Sequence, residues 1–195
     1  MLATLIVGIY LIVASGCMLY MLSKVLKEKF EKEALIYTSN TDELTKCLNR
    51  HAYEQDINKL DLDEEWIYIS LDLNGLKRVN DSRGHAAGDE LIIAAAECMK
   101  RAFGAYGQIY RIGGDEFVVC MTKQVQQFEE ALRVFETSVQ NWHGELADAL
   151  SISYGHVYST EQAWENILEV SKLADQRMYA CKACYYRQPG RDRRR

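Results

Sequence analysis

The 195 residues are 48% hydrophobic, 10% aromatic and 26% charged, with one proline and 12 glycines. This composition excludes intrinsic disorder and collagen-like or low-complexity sequence, and suits one folded domain plus a short appendage. The net charge is −5, and Arg187, Arg191, Arg193, Arg194 and Arg195 hold much of the positive charge, so the body is more acidic still and lacks the basic footprint of a nucleic-acid binder.

Met1 through Ser23 carries no charged side chain. About 20 helical residues at about 1.5 Å each cover a hydrocarbon core of about 30 Å, so residues 1–22 are expected to form one uncleaved transmembrane helix. A buried core helix would carry a polar stripe, and a signal peptide would need a basic start and a shorter apolar run. A lipoprotein reading of Ala14-Ser15-Gly16-Cys17 is disfavoured because the apolar run continues through Leu22. Lys24, Lys27, Lys29 and Lys32 then place the remainder on the cytoplasmic side of a cell membrane, and a span starting at Met1 leaves no domain on the far side. Residues 23–38 continue as a helical linker with Leu22, Leu26 and Phe30 at four-residue spacing and interleaved Lys and Glu, either a solvated spacer or a short parallel stalk joining two chains.

Thr41-Asp42 offers a cap for a helix running to about Leu60. Residues 66–73 read as a strand with Ile67, Ile69, Leu71 and Leu73 on one face and Asp72 on the other. Gly88–Phe103 is an alanine-rich helix; Gln108–Ile112 and Glu116–Thr122 are strands of a hairpin at Gly113-Gly114, where glycine tolerates positive φ. Phe128, Ala131, Leu132, Phe135, Val139 and Trp142 form a helical core stripe, Leu150–Tyr158 alternates as a strand, and Trp164–Tyr185 closes with a helix. The order predicts an α/β or α+β sandwich with helices packed on one sheet. Six scattered cysteines exclude a disulfide framework, and Cys181-x-x-Cys184 lacks partners at zinc-ligand spacing, which points to structural thiols in a reducing compartment.

One constellation carries chemistry. Asp72 ends a strand, and Leu73-Asn74-Gly75-Leu76-Lys77 opens a helix, a turn that offers backbone N–H groups to phosphate oxygens with Lys77 as a nearby charge. Arg111-Ile-Gly-Gly-Asp115-Glu116-Phe117 puts two carboxylates at a hairpin tip, hard oxygen ligands suited to Mg²⁺ beside a phosphate site. Asn80 and Asp89 form a polar pair able to read the donor and acceptor edge of a purine, and a carboxylate matches guanine's N1–H and N2–H₂.

These motifs together resemble a GGDEF-domain diguanylate cyclase over about residues 39–187, with residues 188–195 left as a basic tail. The family's opening motif stands as Asp42-Glu-Leu-Thr-Lys-Cys-Leu-Asn-Arg50, its first active-site motif as Asp72-Leu-Asn-Gly-Leu-Lys77, and its signature as Arg111-Ile-Gly-Gly-Asp-Glu-Phe117. Val79-Asn80-Asp81, Gly84-His85, Gly88-Asp89, Ser151-Ile-Ser-Tyr-Gly155, Ala174-Asp175, Met178-Tyr179 and Lys182 follow the same pattern.

The resemblance implies a fold similar to nucleotide-cyclase and polymerase palms, with a mostly antiparallel sheet flanked by helices. It implies a homodimer that condenses two GTP into cyclic di-GMP and two pyrophosphates, a signalling nucleotidyltransferase. By carry-over, Asp72, the Leu73 carbonyl, Asp115 and Glu116 hold Mg²⁺, with Mn²⁺ as a substitute, and Asp115 is also the candidate base for the attacking 3′-hydroxyl. Asn80 and Asp89 recognise guanine with His85 close by, Gly113 and Gly114 admit the nucleotide to the backbone, and Lys77 and Lys182 serve the phosphates. Three departures stand out: Asn74 replaces a second aspartate, which trims negative charge near the phosphates; Tyr185-Tyr186 replaces a Gly-Arg in the closing helix, which bears on triphosphate affinity, with Arg187 one residue further; and Gly104 and Gly107 occupy the Arg and Asp positions of the family's product-inhibition site. The other reading is a weak or inactive module that binds GTP or dimerises and acts through protein contacts.

Overall fold

The computed structural model describes the backbone of residues 2–188 and the side chains of residues 15–32 and 36–188, in two units, residues 1–39 and residues 40–195. Helix α1 (Leu2–Asn40) accounts for the first unit. The expected transmembrane helix over residues 1–22 is corrected here: among the described residues no helix is long and apolar enough to cross a membrane. Of the expected span, residues 1–14 lie outside the described side chains, and residues 15–22 are exposed. The helix does continue unbroken through the linker, where Lys27 Nζ lies 3.8 Å from Glu31 Oε1. The basic tail from residue 189 onward lies outside the described residues.

The second unit begins with a correction to the helix expected from Thr41 to Leu60. Asp42 does accept from Thr45 N (2.8 Å) and Thr45 Oγ1 (2.7 Å), as a cap would. Lys46, however, adopts φ +58°, and Asp42 N donates to Cys47 O at 2.8 Å, so the chain reverses instead of coiling. The short strand β1 (Leu48–Asn49) follows, and Asn49 caps α2 (Arg50–Ile57) by accepting from Ala52 N at 3.0 Å.

Strands β2 (Ile67–Leu73), β3 (Gly107–Arg111), β4 (Glu116–Met121) and β5 (Ile152–Tyr158) complete one sheet in the order β1-β3-β4-β2-β5. All pairs are antiparallel except β1 with β3. Every residue of β2 is buried, because helices cover both faces. Ile67, Ile69, Leu71 and Leu73 pack with α4 (His85–Phe103) and α5 (Phe128–Gln140) through Leu91, Met99, Phe103, Phe128 and Phe135. Trp66 and Tyr68 turn to the opposite core, with Ala52 and Ile57 of α2 and Val170 and Ala174 of α6 (Ile167–Tyr186). A Cβ at Gly155 would come within 2.3 Å of Ala174 O, so only glycine lets α6 lie this close to β5.

Helix α3 (Leu76–Arg83) joins β2 to α4 and is bracketed by Gly75 at φ +74° and Gly84 at φ +85°. Helix α4 starts at His85, three residues ahead of the expected Gly88, because Gly84 breaks the chain there. The hairpin between β3 and β4 forms where expected, but Gly113 and Gly114 do not adopt positive φ. Cys181 and Cys184 are exposed on α6 and unpaired, not core residues, whereas Cys47, Cys98 and Cys120 are buried and burial pushes the Cys120 thiol up to about 12.

Candidate active site

The carboxyl end of β2 supplies the floor of the site. Its register sets Asp72 opposite Glu116 on β4 and opposite Ser153 on β5. Leu73 N donates to Asp115 O at 3.0 Å, so the turn after β2 and the hairpin tip are tied by their backbones. Two arginines clamp the hairpin from the other side. Arg111 donates to Gly114 O at 2.9 Å and to both oxygens of Asp42 at 3.0 and 3.2 Å, and Arg50 Nε donates to Ile112 O at 2.7 Å. A Cβ at Gly113 would come 2.5 Å from Glu116 Oε2, so a side chain there would push that carboxylate aside; Gly114 faces open space.

Asn74, read in the sequence as trimming negative charge, is tied to β5. It is buried, its amide donates to Ser151 Oγ at 3.1 Å, and its Oδ1 accepts from Ser153 Oγ at 3.0 Å. With Asn74 N donating to Ser151 O at 2.9 Å, β5 pins the residue that follows Leu73. Ser151 and Ser153 were not legible as site-supporting residues, because cross-strand pairing alone brings them to Asn74. Gly75 then turns the chain into α3, whose first N–H groups point out of the helix end beside exposed Lys77.

Lys182, expected to serve the substrate, reaches Asp72. Its Nζ donates to Asp72 Oδ1 at 2.5 Å, and both side chains are buried. Burial pushes the Asp72 carboxyl above its ordinary value against the pull of Lys182, and the charges of Asp115 and Glu116 push it further up. Removing one partner of such a buried pair costs about 3–5 kcal/mol. Two turns earlier on α6, Asp175 accepts from Ser70 Oγ at 2.7 Å, so the helix is stitched to β2 twice.

The α3–α4 corner holds the expected purine-reading pair. Asn80 Oδ1 is buried without a partner, and a Cβ at Gly88 would come 1.9 Å from it, so the glycine makes room for the amide. Asp89 and His85 are exposed on α4 beside it. Glu90, which the sequence did not single out, accepts from the N–H groups of Glu145 (2.7 Å), Leu146 (2.9 Å) and Ala147 (2.8 Å) and fastens that loop to α4.

Among the described residues no group of three or more His, Cys, Asp or Glu side chains is gathered tightly enough to hold a metal ion. By chemistry the oxygen donors of Asp72, Asp115 and Glu116 at this end of the sheet are of the type a hard divalent cation takes, although burial first, and then the neighbouring Asp115 and Glu116 charges, raise Asp72. At the α4–β3 corner, a Cβ at Gly107 would come 1.9 Å from Cys120 O, so an aspartate has no room there.

Comparison with known proteins matches residues 39–186 to the domain family described as diguanylate cyclase, GGDEF domain. The probable diguanylate cyclase DgcI of Escherichia coli (strain K12) is 33% identical over 143 residues, covering 72% of this chain and 30% of that protein. Diguanylate cyclase DgcN of the same organism is 31% identical over 157 residues, covering 76% of this chain and 38% of that protein. The chain thus spans less than two fifths of the length of these curated relatives. Among solved structures, the coiled coil and GGDEF domain of DgcB from Caulobacter crescentus in complex with c-di-GMP superposes with a TM-score of 0.72 at 22% identity, over 83% of this chain and 90% of that one. Diguanylate cyclase SiaD from Pseudomonas aeruginosa, in complex with its activator SiaC, gives 0.65 at 22% identity, over 95% and 75%.

Proposed function

The chain belongs to the GGDEF diguanylate cyclase family, and from that premise we propose that two copies of it condense two GTP into cyclic di-GMP and two pyrophosphates. The observation that carries this reading is the β2–β4 register, which sets Asp72 opposite Glu116 with Asp115 bonded to the same turn. In each half-reaction a 3′-hydroxyl attacks the α-phosphorus of the facing GTP, a P–O bond forms, and the bond to the pyrophosphate leaving group breaks. Asp115 is assigned as the acceptor of the hydroxyl proton. Asp72, the Leu73 carbonyl, Asp115 and Glu116 would hold Mg²⁺, or Mn²⁺ in its place, which supplies charge neutralisation at the phosphates.

The chain's own residues do the positioning. The turn at Gly75 and Lys77 receives phosphate oxygens, and Gly113 and Gly114 leave the hairpin backbone open to the nucleotide. Asn80 and Asp89 are assigned to the guanine edge, where the Asp89 carboxylate accepts from N1–H and N2–H₂, with His85 alongside. Because each chain carries one such site, a homodimer is needed to face two nucleotides, and α1 is the element assigned to join the chains. The substrate restricts the reaction to the compartment that holds GTP, the cytoplasm.

The test is to incubate the purified 195-residue chain with Mg²⁺ and equal GTP and ATP in one tube and to separate the products. Cyclic di-GMP should form from GTP while ATP persists, since sites built on such hydrogen bonds reject mismatched analogues by about 10⁴–10⁵. Comparable use of ATP would overturn the reading. GTP binding without product would identify a binding module instead.

A further inference from the structure

We propose that Cys181 and Cys184 form a dithiol modification site: a low-molecular-weight disulfide oxidises them to a bridge within α6, and the bridge lowers the output of the active site. The effect on turnover rests on the proposed cyclase activity, whereas bridge formation does not. Cys17, Cys181 and Cys184 are exposed, while Cys47, Cys98 and Cys120 are buried. Positions 181 and 184 stand three apart on α6 and share a face, which brings two accessible thiols side by side. Past Met178, Lys182 is the one buried residue of α6 among the described residues, and its Nζ donates to Asp72 Oδ1 at 2.5 Å. The lysine between the two thiols is therefore the buried anchor of the turn that carries them.

In the exchange, one cysteine thiolate attacks a sulfur of the small disulfide RSSR. A new S–S bond to the protein forms as the old one breaks, and RS⁻ leaves. The second cysteine thiolate attacks the protein sulfur of this mixed disulfide and expels a second RS⁻. Two protein thiols are oxidised, RSSR is reduced to two RSH, and the two thiol protons end on the released thiolates. A disulfide holds its Cβ atoms about 3.5–4.5 Å apart, whereas residues three apart on a helix keep them about 5–6 Å apart. Closure must therefore distort the turn from Cys181 to Cys184, and the distortion pulls Lys182 away from Asp72. The turn lies near the end of α6 at Tyr186, where helices fray and distortion costs least. In a reducing compartment the pair rests as a dithiol and bridges when that condition fails.

The experiment treats the full chain carrying Cys17→Ser with oxidised glutathione, alkylates the remaining thiols and maps the peptides by mass spectrometry. The peptide holding both cysteines should be unalkylated and lighter by two hydrogens. Cyclic di-GMP formation should fall by about 10–10², the scale of a misplacement of about 1 Å, and return with dithiothreitol. With Cys181→Ser or Cys184→Ser added, the remaining thiol should carry glutathione and activity should persist. An unbridged pair, or a bridged chain of unchanged activity, overturns the proposal. Equal inhibition in the single-serine variants also overturns it, because bound glutathione and not the bridge would then be responsible. A reduced chain that makes no cyclic di-GMP overturns the proposed function instead, and amide hydrogen exchange then decides. Faster exchange across residues 182–186 on bridging supports the modification site, and unchanged exchange overturns it.

Discussion

The end of β2 that carries Asp72 and the hairpin turn that carries Asp115 are joined by one backbone hydrogen bond, Leu73 N to Asp115 O at 3.0 Å. Replacing either with alanine should lower cyclic di-GMP formation by about 10²–10³, the usual cost of removing a group that stabilises transition-state charge. Chromatographic product analysis checks this, and near-normal output from either variant would remove these residues from the site. Asp72→Asn is the better second variant, because alanine strands Lys182 in a buried place. The identity of these carboxylates was legible from the motifs around them. What Lys182 and Asn74 touch was not, because both partners are set by contacts far apart in the chain: α6 against β2, and β5 against the turn after β2.

The corner between α4 and β3 decides a second property at the level of elements. Gly104 ends the helix, and Gly107 lies so close to Cys120 O that neither position presents a guanidinium or a carboxylate to a guanine. Added cyclic di-GMP should therefore slow the reaction only by weak competition with GTP; potent inhibition that excess GTP does not relieve would contradict this. The β5–α6 pair carries a pH dependence. His156 packs 4.8 Å from the Phe128 ring and 5.3 Å from that of Tyr158, and Arg177 donates to its carbonyl at 2.6 Å. Burial and then the Arg177 charge hold its imidazole below the ordinary 6.5, against Glu129 and Glu161. The folded state thus binds this proton less readily than the unfolded chain, so stability is complete above about pH 6.5 and declines as pH falls towards the lower folded value. Melting temperature should drop by a few degrees between pH 7.5 and 5, and His156→Phe should flatten that portion; an unchanged slope would assign the dependence elsewhere. Seven elements, β2, α4, β3, β4, α5, β5 and α6, followed from alternation, helical spacing and glycine punctuation, while the helix expected at Thr41 failed because Lys46 leaves the helical region after a cap-like start.

At the scale of the whole molecule, the proposed reaction needs two nucleotides facing each other, and one domain would supply one site. Specific activity should rise with protein concentration until sedimentation shows the dimer to be saturated, and constant turnover from a chain that sediments as a monomer would contradict a shared site. The exposed apolar side chains of α1, among them Leu19, Leu26 and Phe30, are the surface on which such pairing is assigned. By itself, the sequence determined the order of the strands from β2 to β5, the apolar face of β2 and the chemical types in the motifs, since alternation, glycine punctuation and motif spacing are local properties. It also suggested a membrane span from an apolar run at the start, which no helix among the described residues is long and apolar enough to satisfy. Tertiary structure alone decided which groups meet: Asp72 opposite Glu116 by strand register, Lys182 on Asp72 by helix packing, and Asn80 Oδ1 left without a partner against Gly88. The reason is physical, because a residue type fixes what bonds a side chain can make, while only the packed sheet and helices set which partners come within their reach.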